Sequence, residues 1–203
     1  MQGFSSQFQT PPVVKNLLVI NILVFMAQAL LPVGHRIQEF GALWLGFPWF
    51  HSYQYFTYMF LHANLEHLFF NMFALWMFGR TLEWELGSKR FLTYYVACGI
   101  GAAFVQYLVA LVLGELPLQL IGASGAVMGL LLAFGVMHPN ATIVLLIPPI
   151  PMKAKWFVII YAVIELFMGV RGTGQVAHFA HIGGMLWGLG LLYYWKKRGQ
   201  IYF

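Results

Sequence analysis

The sequence predicts an all-α membrane protein in which six transmembrane helices form one compact bundle. Three observations carry that expectation. Of the 203 residues, 61% are hydrophobic and only 8% charged, whereas a soluble domain carries about a quarter charged residues. Six apolar runs stand out as spans of a hydrocarbon core about 30 Å thick. Nine of the eleven lysines and arginines fall at alternate ends of those runs, which puts them all on one side.

Residues 1–12 are polar and uncharged, unlike the basic start of a cleavable signal, so the first hydrophobic run is expected to stay in the mature chain. Spans are predicted at 13–31, 65–79, 91–113, 123–137, 156–170 and 176–195. They form a single domain over 13–195, followed by a basic tail at 196–203. The apolar run 141–150 reaches only about half of a roughly 30 Å core, and Pro148, Pro149 and Pro151 break it, so it is read as a loop at the interface. The outer segment 32–61 is dense in aromatics, among them Trp44, Phe47, Trp49, Tyr53 and Phe56, and is expected to lie partly in the membrane. Segments 114–122 and 169–175 are read as short outer loops, and three glycines make the second a movable cap.

Only Arg36 and Arg171 fall on the side opposite the other cations. Both termini are therefore predicted in the cytoplasm, and the chain is expected in a bacterial inner (plasma) membrane. The net charge of +5 needs no nucleic acid to explain it, because the basic residues flank spans instead of forming one stripe. Cys98 is the only cysteine, which excludes a disulfide framework or a CxxC metal pair and leaves a small packing residue.

Polar groups inside spans are costly and functional by default. Three clusters qualify: His62, His67 and Asn71; Gly122-Ala123-Ser124-Gly125; and Ala177 to Gly184 with His178 and His181. The spacing of four puts His67 and Asn71 on one helix face. Ser124 and His181 both come out roughly 8 Å below the outer boundary, so they can meet. Gly125 and Gly129 on one helix, with Gly184 and Gly188 on the other, permit close packing of the two backbones.

Taken alone, Ser124 reads as a packing residue, since serines in membrane helices commonly bond to backbone, and GxSG is a weak pattern. A metal on His67, His178 and His181 is disfavoured against a serine site because the chain has no aspartate, and Glu66 and Glu165 are the only acids in or beside spans. No metal and no cofactor is expected. His35, His51 and His138 read as interfacial, Glu66 as solvating or capping the entry of the second helix, Glu83 and Glu85 as partners of nearby cations, His178 as lining the cavity mouth, and Met128 as filler.

Together, His62-x4-His67-x3-Asn71, Leu82-Glu83, Leu86-Gly87-Ser88, Gly122-Ala123-Ser124-Gly125 and Ala180-His181-Ile182-Gly183-Gly184 resemble the rhomboid family of intramembrane serine proteases, from about Tyr53 to the end of the sixth helix. The resemblance implies the six-helix rhomboid core, a catalytic dyad of Ser124 and His181, and an oxyanion site that includes His67 and Asn71. Many members carry Trp-Arg where this chain has Tyr53-Gln54, which touches the anchoring of the first outer loop.

The residues support acyl transfer, with Ser124 as nucleophile, His181 as general base and acid, and no aspartate to complete a triad. The expected substrates are single-pass transmembrane proteins, unwound locally among membrane lipids. Two rivals differ in class: a catalytically silent member of the same fold that binds transmembrane clients, and a small transporter using His67, His178 and His181 as a proton relay, which the absence of an inverted repeat disfavours.

Overall fold

Proline and glycine set the ends of the helices. The structure, a computed structural model, describes residues 9–144, 149–172 and 177–203. Helix α1 (Pro12–Leu30) opens on Pro12, where a missing N–H costs nothing, and stops at Leu31, which is extended as the residue before Pro32 must be. Helix α2 (Gly34–Gly41), strand β1 (Leu43–Leu45), helix α3 (Gln54–Thr57) and a 3-10 turn (Tyr58–Phe60) follow. Helix α4 (Leu65–Leu86) is capped by Asn64, whose side-chain oxygen accepts from the His67 backbone N–H at 2.8 Å. Glu66 sits in the first turn, where its charge complements the helix dipole at the helix entry. Gly87, at φ +77°, ends α4 and begins α5 (Ser88–Leu113) within one residue, a backbone angle that favours glycine. Strand β2 (Leu118–Leu120), helix α6 (Ser124–Met137), strands β3 (Thr142–Val144) and β4 (Pro151–Lys153), and helices α7 (Ala154–Arg171) and α8 (His178–Lys197) complete the chain.

The long helices α1, α4, α5, α6, α7 and α8 fall on the six predicted runs. The largest difference is at α4, which continues past residue 79 to Leu86 through Arg80, Glu83 and Glu85. Glu83 explains the extension. It is 2% exposed, and its two oxygens accept from the backbone N–H groups of Val13 at 2.9 Å and Val14 at 2.7 Å, while Ser88 donates its hydroxyl at 2.6 Å. The expected pairing of Glu83 with nearby cations is therefore corrected: it caps the start of α1, whose first N–H groups have no partner within the helix. Glu85 pairs with His138 at 3.0 Å, which ties that histidine to α4.

By length and composition, α1 and α5 are each sufficient to cross a membrane, and α6 is a shorter apolar helix. Elsewhere the surface carries large apolar side chains. On α7, Ile159, Val163, Phe167 and Val170 are all more than half exposed, a face that water does not favour.

Two segments expected as loops contain strands too short for an alternating pattern to reveal. Residues 114–122 include β2, which pairs antiparallel with β1, Leu43 opposite Leu120 and Leu45 opposite Leu118. The run 141–150 includes β3, which pairs with β4; its residues 145–148 lie outside the described ones. Residues 173–175 of the expected cap lie outside them too.

The core sits where α5, α6 and α8 meet, around Tyr94, Cys98, Leu130 and Leu192, with α4 and α1 packed alongside. In the outer segment, Gln54 is 1% exposed and its side-chain oxygen accepts from the backbone N–H groups of Trp44 at 3.4 Å and His51 at 3.1 Å. The position where this chain departs from the Trp-Arg pattern thus supplies an anchor of its own. Thr57 adds a hydroxyl bond to the Gly41 carbonyl at 2.8 Å.

Because Glu83 satisfies three donors from within the core, Glu83→Ala is expected to lower unfolding stability by about 2 to 4 kcal/mol in detergent. Glu85→Ala, at the surface, is expected to cost less than about 1 kcal/mol. Denaturant titration of the two variants measures the difference.

Candidate active site

Three helices begin at the same end of the molecule, and each brings one part of the site. Helix α6 starts at Ser124 itself, so the serine follows a turn rather than lying mid-helix. That turn is held from two sides: β2 runs just ahead of it on β1, and the Gly122 N–H donates to the Tyr58 carbonyl at 2.9 Å. Helix α8 starts at His178, which puts His181 one turn in. Its Nε2 lies 2.8 Å from the Ser124 hydroxyl oxygen, the distance of a hydrogen bond.

Glycines permit that approach. A methyl group on Gly184 would overlap the carbonyl oxygen of Gly125, so α6 and α8 touch backbone to backbone. A methyl on Gly129 would strike the Cys98 sulfur, one on Gly125 would strike the Ala102 methyl, and one on Gly188 would strike the Tyr94 hydroxyl. Tyr94 uses that hydroxyl to donate to the Gly129 carbonyl at 2.9 Å, and Gln106 accepts the Ala180 N–H at 3.0 Å. Helix α5 therefore holds both α6 and the start of α8.

His67 and Asn71 project from α4 into a cavity of about 940 Å³ that Ser124, His178 and His181 also line, with Met128 beside them. His67 Nδ1 accepts from the Ala63 N–H at 3.4 Å, which in a neutral ring leaves the proton on Nε2. That ring edge lies against Gly122: a methyl group there would come within 2.8 Å of Nε2, and the residue's φ of +122° favours glycine in any case. Asn71 spends one amide hydrogen on the His67 carbonyl at 2.9 Å and keeps the other. His62 is not part of the lining. It is 2% exposed with its ring edge-on to His67 at 5.0 Å, and burial first, then the neighbouring His67, pull its pKa down to about 4, so it is neutral.

One residue of the site was missed. Glu165, on α7, is 5% exposed, and its Oε2 lies 2.7 Å from His178 Nδ1 and 3.0 Å from His181 Nδ1. The first contact is a well-formed hydrogen bond; the second is within hydrogen-bond distance but oblique. The expectation that no acid stands behind His181 rested on the lack of aspartate, and the structure corrects it with a glutamate from a neighbouring helix. The signal was in the sequence: an ionisable group inside an apolar run has to meet a partner. What the run could not tell was which way the side chain faces.

The family model of the rhomboid domain matches residues 50–198. The chain belongs to the rhomboid family. Its fold is that family's membrane fold, mostly helical, and members are generally serine proteases that act within the membrane. Among curated relatives, it is 32% identical over 68% of its length to presenilin-associated rhomboid-like protein A, mitochondrial, of Danio rerio. It is 34% identical over 67% of its length to rhomboid protein 1, mitochondrial, of Saccharomyces cerevisiae, and 36% identical over 56% to rhomboid-like protein 11, chloroplastic, of Arabidopsis thaliana. The chain covers 38%, 39% and 38% of those three proteins, in that order. These names overturn the expected bacterial plasma membrane, and with it the cytoplasmic termini, because they belong to organellar proteins. Charge asymmetry ranks the two sides of a membrane but cannot say which membrane it is.

Gly184→Ala is expected to cost about 1 to 3 kcal/mol, because the added methyl must push α8 off α6. Gly190→Ala on the same helix meets nothing within 4 Å and is expected to be neutral or to gain up to about 1 kcal/mol. Thermal unfolding of the two variants in one detergent makes the comparison.

Proposed function

We propose that this chain is an intramembrane serine endopeptidase that cuts single-pass transmembrane proteins, with Ser124 and His181 as its catalytic pair. The observation that carries the reading is the 2.8 Å contact between an imidazole nitrogen and a serine hydroxyl in the lining of a cavity that His67 and Asn71 also face. All six long helices cross the bilayer in this reading, the aromatic outer segment rests in the headgroup region, and the membrane is that of an organelle, as the relatives' names suggest.

The chemistry follows from the groups present. His181 Nε2 takes the hydroxyl proton as Ser124 Oγ bonds to the scissile carbonyl carbon. The tetrahedral oxyanion is met by the free amide hydrogen of Asn71, by His67 Nε2–H, and by the backbone N–H at the start of α6, where the helix dipole favours negative charge. The carbon–nitrogen bond then breaks as the protonated His181 returns its proton to the leaving amine. Water entering the cavity, activated by the same imidazole, hydrolyses the acyl-enzyme. A helical substrate hides its amides, so cleavage is expected where small or helix-breaking residues let the backbone extend.

Purified protein with a model transmembrane substrate tests this directly. Ser124→Ala and His181→Ala are expected to abolish cleavage and fluorophosphonate labelling. Asn71→Ala, which removes one oxyanion donor, is expected to lower kcat by about 10²-fold or more. Cleavage at the same bond by Ser124→Ala protein would sink the proposal.

A further inference from the structure

Helix α7 is the least buried of the long helices around the site. Along its 18 residues only Ala154, Val158 and Glu165 are buried, and Glu165 is the one that carries a charge. A carboxylate withdrawn from water costs several kcal/mol unless charge-matched donors replace the water. Here the donors are two imidazoles from α8 and the Tyr161 hydroxyl one turn earlier on α7. Because an ionised carboxylate only accepts, each neutral ring that faces it must carry its proton on Nδ1. For His181 that leaves Nε2 as a lone pair, and Nε2 is the atom 2.8 Å from the Ser124 hydroxyl.

We infer that Glu165 is a positioning residue for the proposed hydrolysis: it fixes the Nδ1–H tautomer of His181 and balances the imidazolium formed when Ser124 is deprotonated. The inference rests on the Ser124–His181 reading above. The oblique 3.0 Å contact becomes a charge-assisted hydrogen bond once the ring is protonated, as catalytic contacts that are poorly aligned at rest tighten during reaction. His178, bonded to the same oxygen at 2.7 Å, keeps the carboxylate in place between turnovers. The three donor atoms also lie within 4.8 Å of one another, the spread a metal ion could bridge. The hydrogen bond to His178 and the close approach of His181 account for the carboxylate without an ion, and a metal on His181 Nδ1 would leave Nε2 as a donor, unable to accept the serine proton.

The titratable groups facing His181 are Glu165 from α7, which Tyr161 of the same helix also contacts, His178 from α8 and His67 from α4; α5 offers only the uncharged Gln106, and α6 offers Ser124. Glu165 is the only acid among them.

The test uses the full chain in detergent with a transmembrane substrate, Ser124→Ala serving as the control for the hydrolysis itself. Glu165→Gln keeps the side-chain volume and removes the charge. It is expected to lower kcat by about 100-fold or more with KM changed by less than about threefold. Glu165→Asp is expected to recover part of kcat. In wild-type protein, nitrogen NMR of His181 is expected to show the proton on Nδ1 at neutral pH, a measurement that needs no variant to fold. The inference is overturned if Glu165→Gln stays within threefold of wild type while Ser124→Ala is inactive, or if its loss of activity comes with a matching fall in melting temperature and no recovery in Glu165→Asp. It is equally overturned by Nε2–H as the resting tautomer, or by wild-type activity that EDTA abolishes and zinc restores. Cleavage by Ser124→Ala protein would instead remove the hydrolase reading on which the inference stands.

Discussion

The structure depends on a contact between two backbones. Where α6 crosses α8, Gly184 lies against the carbonyl oxygen of Gly125, with no space for even a methyl group. In a bilayer, apolar side chains gain little by meeting one another instead of lipid, so helices associate through close packing and polar contacts. The tightness of this crossing is what converts two separate helix starts into one site. Ser124 precedes Gly125 by one residue and His181 precedes Gly184 by three, so the contact sets their separation almost rigidly. Tyr94 and Gln106, donating to and accepting from those two helices, show that α5 is the platform on which the crossing is built.

The two ends of the molecule solve different problems. At the end that carries most of the cations, Glu83 closes the start of α1 by taking two of its backbone N–H groups, so a charge buried in the core replaces water as their partner. At the other end the chain is less regular. Short helices, a 3-10 turn and the β1–β2 pair keep the residues before Ser124 in register, and Tyr58 joins both systems, its carbonyl receiving Gly122 and its hydroxyl donating to the Gly99 carbonyl at 2.6 Å. The turn before Ser124 needs that scaffold, because a helix start that opens on a cavity would otherwise fray.

How much of this could be read from residues alone follows from what each pattern encodes. Apolar run length located all six long helices, since length and hydrophobicity act locally, and polar groups stranded in those runs pointed to Ser124, His181, His67 and Asn71. Gly87 and Asn64 mark helix ends for equally local reasons. Three-residue strands carry no period to detect, so β1 with β2 and β3 with β4 were hidden in apparent loops. Glu83 sat among cations in the sequence, yet its partners are backbone groups 69 and 70 residues away. Glu165 was visible as an acid in an apolar run, but the rotation of α7 about its axis is set by packing that no single-helix pattern records.

That rotation carries the last step. Helix α7 buries little, and most of its surface is large aliphatic and aromatic groups facing outward, so apolar contact alone fixes its orientation weakly. A charged group cannot be left facing hydrocarbon, where it costs several kcal/mol, and the two imidazoles are the donors that α8 offers it. The carboxylate therefore does for α7 what the glycines do for α6: it selects one orientation against α8. Because the partner it selects is the ring that touches Ser124, the same interaction that orients a helix also decides which nitrogen of His181 holds the proton.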